Sequence, residues 1–319
     1  MCKCRAMNVR PPMDQALEDR AVGTLLGLAV GDAVGTTLEF QSRDNAPPLC
    51  DMVGGGPFGL AAGTWTDDTS MALALADTLA GKATFDAREL MNRFVNWWRW
   101  GAYSPTGECF DIGLTTRTAL AQFERDGNPI AGSTDPQSAG NGSLMRLAPV
   151  AIWGVARGEA TMRAAAREQS ATTHGAPACV DACEGYALIL HAAIRGSGFE
   201  EALCAATRVV ATEPIGAILA GSWRGKARHE IASSGYVAHS LEAALWCVAE
   251  TESFRDAVLL AANLGDDADT TAAITGQLAG ALYGADGIPM DWRAKVAWSE
   301  RIAEMAIALL NGDRFVQGF

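Results

Sequence analysis

Positive charge is scarce in this sequence. Lys and Arg number 25 against 37 Asp and Glu, a formal net charge of −12, and the basic residues never gather into a run. Binding nucleic acid through its phosphates needs clustered Lys and Arg, so a general nucleic-acid surface is excluded. A phosphorylated ligand would have to be held by local backbone amides or metal ions against an unfavourable overall field. Cysteine is thin as well: eight are spread over 319 residues with no CxxC pair, which excludes a small disulfide scaffold and a four-cysteine zinc site. Cys179 and Cys183 have the i, i+4 spacing of one helix face and are expected to be buried packing residues. The opening "MCKCRAMNVRPPMDQ" holds no apolar stretch of signal-peptide length, and no continuous lipid-facing run follows. The expectation is a cytoplasmic, monomeric protein with no membrane contact. Residues 1–14, with Cys2 and Cys4, are expected to form a mobile N-terminal tail.

Strand alternation is also rare, and nucleotide-binding loops of the usual kinds are missing. "GGGPFG", Gly54 to Gly59, formally fits G-x-G-x-x-G, but Pro57 interrupts it and no amphipathic helix follows, so a dinucleotide fold is rejected. No G-K-[ST] loop occurs. What is present is apolar residues at helical spacing, in "LEDRAVGTLLGLAVGDAVG", "MALALADTLAG", "ARELMNRFVNWWRW", "VDACEGYALILHAAI" and "LEAALWCVAE". Gly and Pro fall mainly between these segments. The pattern predicts a compact all-α domain of roughly a dozen helices over residues 15–319, with Trp97 and Trp98 among the core residues.

Two acidic stretches stand out. "GTWTDDTSMALAL" sets Asp67 and Asp68 among hydroxyls where an apolar helix begins, and "NLGDDADTTAAITGQLAG" repeats the arrangement about two hundred residues later. Helix N-termini present free amides, so Thr66, Asp266 and Thr270 could act as caps, yet capping explains one acid per helix and not several. Two acidic clusters brought together repel, and a bound cation is the usual resolution. Asp67, Asp68, Asp267 and Asp269, with the hydroxyls of Thr66 and Thr270, offer the oxygen-only set that suits one or two Mg2+ or Mn2+ ions. An EF-hand starting at Asp267 fails, because Ala272 and Leu278 occupy the places of its Gly and bidentate Glu.

These stretches, with "GLAVGDAVGTTLEF", "FDIGLTTR", "GNGSLMR", the "THG" from Thr173 and "SGYVAHSLEAALWC", resemble the ADP-ribosylglycohydrolase family over nearly the whole chain. The resemblance implies an orthogonal helical bundle with a dinuclear metal cleft that hydrolyses the bond between ADP-ribose and a modified side chain. It assigns Thr66, Asp67, Asp68, Asp267, Asp269 and Thr270 to the metals and leaves Asp266 as an extra acid. Glu39 in "TTLEF" matches the family's acidic residue near the metals, and Asp111 in "FDIG" matches an acid present in the reactivating-glycohydrolase branch.

Glycosidic cleavage passes through an oxocarbenium-like state and calls for a general acid and an activated water, for which Glu39 and Asp111 are the catalytic candidates. A diphosphate is expected on glycine loops: Gly107, Ile112 and Gly113 before one helix, and Asn141, Gly142 and Ser143 before another. His174 is a ligand-side candidate through the resemblance, and Tyr236 a stacking candidate. The expected partner is an ADP-ribosylated protein, with arginine the favoured linkage because "FDIGLTTR" resembles the arginine-directed branch. Serine-linked, nucleic-acid-linked or small-molecule ADP-ribose, and a silent ADP-ribose-binding module, are the alternatives.

Overall fold

The computed structural model describes residues 14–209 and 211–315. The expected tail lies outside the described residues except for Asp14, whose carboxylate caps the first helix by accepting from the Ala16 amide at 3.0 Å. Among the described residues there are fourteen α-helices and no strand, as the periodicity predicts. In the first half are α1 (Gln15–Gly35), α2 (Asp67–Leu79), α3 (Ala87–Trp100), α4 (Leu114–Asp126), α5 (Ala148–Arg157) and α6 (Glu159–Thr173). Next come α7 (Pro177–Ile194), α8 (Phe199–Ala206), α9 (Ile215–Leu219) and α10 (Val237–Ala249). The last are α11 (Phe254–Ala262), α12 (Ala268–Tyr283), α13 (Met290–Lys295) and α14 (Ser299–Asn311).

One helix pair positions everything that follows. On α1, Gly23, Gly27, Gly31 and Gly35 recur every fourth residue and so share one face. Antiparallel to it, α12 brings Gly280, Gly276, Ala272 and Ala268 against that face in the same order. The backbones touch: a Cβ on Gly31 would lie 2.1 Å from the Ala272 carbonyl oxygen, and one on Gly280 would lie 1.9 Å from that of Gly23. Because the helices run antiparallel, the C-terminal end of α1 arrives at the N-terminal end of α12. A short 3-10 turn, Thr36–Leu38, then carries the chain to Glu39 beside the second acidic stretch. Gly280→Ala is expected to force these backbones apart and destabilise the protein by about 1–3 kcal/mol. A urea unfolding curve measures this, and an unchanged midpoint would show that the pair tolerates separation.

The segment 15–38 is long and apolar enough to cross a membrane by composition, but 83% of its most apolar window is buried inside the molecule, as a core helix would be. Cys179 and Cys183 on α7 are buried, with Sγ of Cys179 donating to the Gly140 carbonyl at 3.2 Å. On α3, Trp97 is buried as expected. Its neighbour Trp98 is only half-buried, with the Arg99 guanidinium 3.6 Å over its ring, and Trp100 faces solvent. The 100° step between successive helical residues turns Trp98 away from the face of Trp97, and Trp100 is the last residue of the helix, before the Gly101 cap.

Candidate active site

The two acidic stretches, separated by two hundred residues, meet at one place. Thr66 Oγ1 lies 3.5 Å from Asp269 Oδ2, and Thr270 Oγ1 lies 3.4 Å from Asp68 Oδ1. Neither stretch is used up in capping. Thr66 and Asp267 occupy the N-cap positions of α2 and α12, yet neither makes a side-chain cap bond. For α2 the cap is supplied from elsewhere, by Asp32 of α1. Its carboxylate accepts from the Thr66 amide at 2.9 Å, the Thr69 amide at 3.1 Å and the Thr69 hydroxyl at 2.6 Å. With that helix end satisfied by Asp32, Asp67 and Asp68 are free to face the other acids.

Asp67 and Asp269 line the floor of a cleft of about 790 Å3, together with Glu39, Asp111, Asp266 and Asp267, and Asp68 is buried just behind them. Glu39, Asp111 and Asp269 each place one carboxylate oxygen within 4.8 Å of the others. Burial raises the pKa of Glu39, Asp67, Asp68, Asp111, Asp267 and Asp269, and neighbouring carboxylates raise it further. Glu39 is pushed up to about 9, first by burial and then by Asp111 and Asp267. Asp111 is pushed up to about 7 by burial and then by Asp32. Asp67, Asp68 and Asp269 are raised well above the ordinary carboxylate range for the same reasons. Asp32 is lifted to about 6 by burial, against the pull of its four hydrogen bonds from Thr66 and Thr69.

No Lys or Arg lines the cleft among the described residues. Among the described residues, buried oxygens Glu39 Oε2 and Asp68 Oδ2 have no hydrogen-bond partner. Unpaired buried carboxylate oxygens, a purely oxygen donor set and mutual repulsion are what a hard divalent cation relieves, so the residues present fit such an ion.

The opposite wall is built to receive negative charge. Gly113 is the N-cap of α4 and offers no side-chain cap, and Gly113, Leu114, Thr115 and Thr116 line the cleft, so the uncapped amides at the start of α4 face it. The loop before α5 contributes Gly140, Asn141 and Gly142. Among the described residues the amides of Gly142 and Ser143 have no protein acceptor, while the Asn141 side chain donates to Asp267 Oδ2 at 2.7 Å and ties this wall to the acidic floor. The ring of His174, at the end of α6, packs against the same loop. A Cβ on Gly142 would sit 2.7 Å from His174 Cε1, which explains the glycine.

Of the residues singled out from sequence, Glu39, Asp67, Asp111, Ile112, Gly113, Asn141, Gly142, His174, Asp267, Asp269 and Thr270 line the cleft. Thr66 and Asp68 lie just behind it, buried and in contact with its lining. Three others are placed elsewhere. Gly107 is exposed and closes a turn through its amide to the Ser104 carbonyl at 3.2 Å. The Ser143 hydroxyl points into the core, 2.8 Å from that of Ser170, which in turn donates to the His174 carbonyl at 2.9 Å. Tyr236 is the N-cap residue of α10, half-buried, with its ring edge-on to His239 at 5.1 Å.

Sequence reading missed Asp32, although a signal existed: it is the one acid in the apolar run "LLGLAVGDAVG" and stands near a helix C-terminus, where the dipole disfavours negative charge. It also missed the backbone at the cleft. Phe40 (φ 59°), Asp111 (φ 58°) and Asp266 (φ 54°) all line the cleft in the left-handed region, a cost of about 1 kcal/mol or more each. Two of them are locked together, since the Phe40 amide donates to the Asp266 carbonyl and the Asp266 amide to the Gln41 carbonyl, both at 2.8 Å.

A pH dependence follows. Carboxyls whose folded pKa is raised contribute stability that is present below their unfolded pKa and is lost as pH rises through the folded value. For Asp32, Asp111 and Glu39 those folded values run from about 6 through about 7 to about 9. Cation-free protein is therefore expected to lose stability from about pH 4 to about pH 9 as the floor ionises. Added Mg2+ is expected to raise Tm more at about pH 8.5 than at about pH 5.5. Equal gains in thermal melts at both values would mean that the acids do not bind the cation.

A family model described as ADP-ribosylglycohydrolase matches residues 13–317. The chain is 52% identical to an ADP-ribosylarginine hydrolase, Tri1, of Pseudomonas putida (strain GB-1), over 96% of this chain and 81% of that protein. Against the Tri1 of Serratia proteamaculans (strain 568) identity is 48%, over 90% and 78% of the two chains. The ADP-ribosyl-(dinitrogen reductase) glycohydrolase of Rhodospirillum rubrum is 32% identical over 88% of this chain and 91% of its own. A solved structure described as an ADP-ribosylglycohydrolase-related protein complex superposes with a TM-score of 0.83 at 36% identity, covering 94% of this chain and 99% of that one.

Proposed function

The chain belongs to the ADP-ribosylglycohydrolase family, enzymes that hydrolyse glycosyl bonds, and from that premise we propose that it removes ADP-ribose from arginine side chains of modified proteins. The observation that carries the reading is the convergence of Glu39, Asp111 and Asp269, within 4.8 Å of one another, beneath a wall of unpaired amides. Acid chemistry and an anion cradle thus face each other across one cleft. Arginine is supported by two of the relatives named above, which are ADP-ribosylarginine hydrolases, and by the cleft itself, whose unneutralised carboxylates suit a guanidinium.

Asp67, Asp68, Asp267 and Asp269, with Thr66 and Thr270, are the residues that would hold Mg2+ or Mn2+, in one or two sites, and Glu39 and Asp111 lie within reach of the same ions. When bound, such ions keep the carboxylates ionised, orient ribose hydroxyls and acidify water. The chain's own groups do the rest. Amides of α4 and of Gly142 hold the diphosphate, leaving the anomeric carbon over the acids. As the bond from that carbon to the guanidinium nitrogen breaks, one of Glu39 and Asp111 delivers a proton to the departing nitrogen and the other takes one from the attacking water. The products are free arginine side chain and ADP-ribose.

A side-by-side assay of arginine-linked, serine-linked and nucleic-acid-linked ADP-ribose, with and without Mg2+, tests this. Faster cleavage of the arginine linkage, lost on chelation, is expected. Serine preference would reverse the assignment of substrate, and full activity in chelator would remove the cation from it.

A further inference from the structure

Beneath the cleft wall lies a guanidinium with no exposure at all. Arg146 spends its donors entirely inside the protein: Nε to Gln169 Oε1 at 2.9 Å, Nη1 to the Gly142 carbonyl at 3.1 Å, and Nη2 to the Gln169 carbonyl at 2.9 Å and Thr173 Oγ1 at 3.0 Å. Its face lies 4.6 Å from the Phe94 ring. No carboxylate pairs with it among the described residues, an expensive arrangement for a purely structural tie. The contact that gives it a use is Thr173 Oγ1, which also lies 2.8 Å from His174 Nδ1.

We infer that Arg146 is a positioning residue that acts through Thr173 to hold His174 as the neutral tautomer with its proton on Nε2, so that the cleft wall presents a donor and not an acceptor. The steps are a count of protons. A guanidinium can only donate, so Thr173 Oγ1 must accept from it. The Thr173 hydroxyl proton then has one acceptor among its partners, His174 Nδ1. Were Nδ1 to carry a proton, the buried hydroxyl would be left with nothing to donate to, which costs about 1–3 kcal/mol. Nδ1 therefore accepts, and Nε2 carries the ring proton.

Geometry gives that proton its direction. The Nε2 edge lies over Gly140 and Gly142, where a Cβ would come within 3.4 and 2.9 Å of it, and His174 lines the cleft there. Burial, helped by the Arg146 charge, holds the imidazole pKa down at about 3, so the ring stays neutral and has one proton to place. Arg146 steers the adjoining peptide as well. By drawing the Gly142 carbonyl inward it turns the Ser143 amide, antiparallel across the planar peptide, the opposite way. Ring donor and loop amides thus meet the same acceptor oxygens of a ligand. That last step rests on the proposed function, whereas the tautomer does not.

Nitrogen-15 spectra of the imidazoles in unliganded protein, with His174 assigned by replacing the other three histidines, test the tautomer without any substrate. The expected result is an unprotonated Nδ1 and a protonated Nε2 in wild type and in Thr173→Ser, which keeps the hydroxyl. Thr173→Val, matched in shape, is expected to lose that signature and to bind ADP-ribose about tenfold more weakly. A protonated Nδ1 in wild type, or an unchanged tautomer in Thr173→Val, overturns the inference. Should Thr173→Val fail to fold, the wild-type spectrum alone decides. A confirmed tautomer with no change in ADP-ribose affinity keeps the positioning role and counts against the proposed ligand.

Discussion

Asp269→Asn is expected to lower kcat/KM by at least about a thousandfold while leaving the helical circular-dichroism signal intact. The reasoning begins with what the amide preserves. Asp269 Oδ1 accepts from the Thr270 amide at 2.8 Å, and an Asn oxygen can do the same. What is lost is one negative charge from a group of three whose oxygens lie within 4.8 Å of one another. Those charges repel when no cation is present, so the cation-free variant should melt no earlier than wild type, and the gain in Tm on adding Mg2+ should shrink. The opposite signs separate a lost ligand from a damaged fold, which would lower activity and cation-free Tm together. Wild-type turnover with an unaltered cation requirement would remove Asp269 from the site.

How far the site was legible in the sequence depends on which force sets each residue's place. Asp67, Asp68, Asp267 and Asp269 were readable because repeated acids at two helix starts exceed what capping needs. That the two helices meet was not readable from those stretches alone. It is dictated by the bare stripe of Gly23, Gly27, Gly31 and Gly35 on α1, which lets α12 approach to backbone contact and brings its N-terminus level with Glu39. Glycines four apart are visible in sequence, but their partner helix is chosen by tertiary packing. Local pattern likewise could not show which way the Ser143 hydroxyl turns. Its neighbours Asn141 and Gly142 face the cleft, while Ser143 faces Ser170, because the turn rotates successive side chains to different sides. Arg146 was invisible as a functional residue for a related reason: a basic residue in an acidic chain reads as a solvated charge, and only the structure shows it fully enclosed.

The most discriminating single change at the reacting end is Asp111→Asn, expected to slow bond cleavage by about a hundredfold or more while ADP-ribose still binds. Asn suits the test because it accepts the left-handed backbone that residue 111 adopts, φ 58°, nearly as well as Asp, so the loop should keep its course. The variant then removes a charge and a proton carrier without moving the α4 amides three residues on, to which the proposed function gives the diphosphate. The sequence points to Asp111 for proton transfer and orientation, and its position beside Glu39 and Asp269 puts it within reach of a cation as well. Two measurements separate these roles. If Asp111 chiefly carries a proton, the Mg2+-induced rise in Tm persists in the variant and only kcat falls. If it chiefly holds the cation, that rise collapses along with kcat, as in Asp269→Asn. Calorimetry with ADP-ribose beside a single-turnover cleavage assay reads the remaining distinction, and cleavage at the wild-type rate would leave Glu39 as the sole acid able to serve the leaving nitrogen.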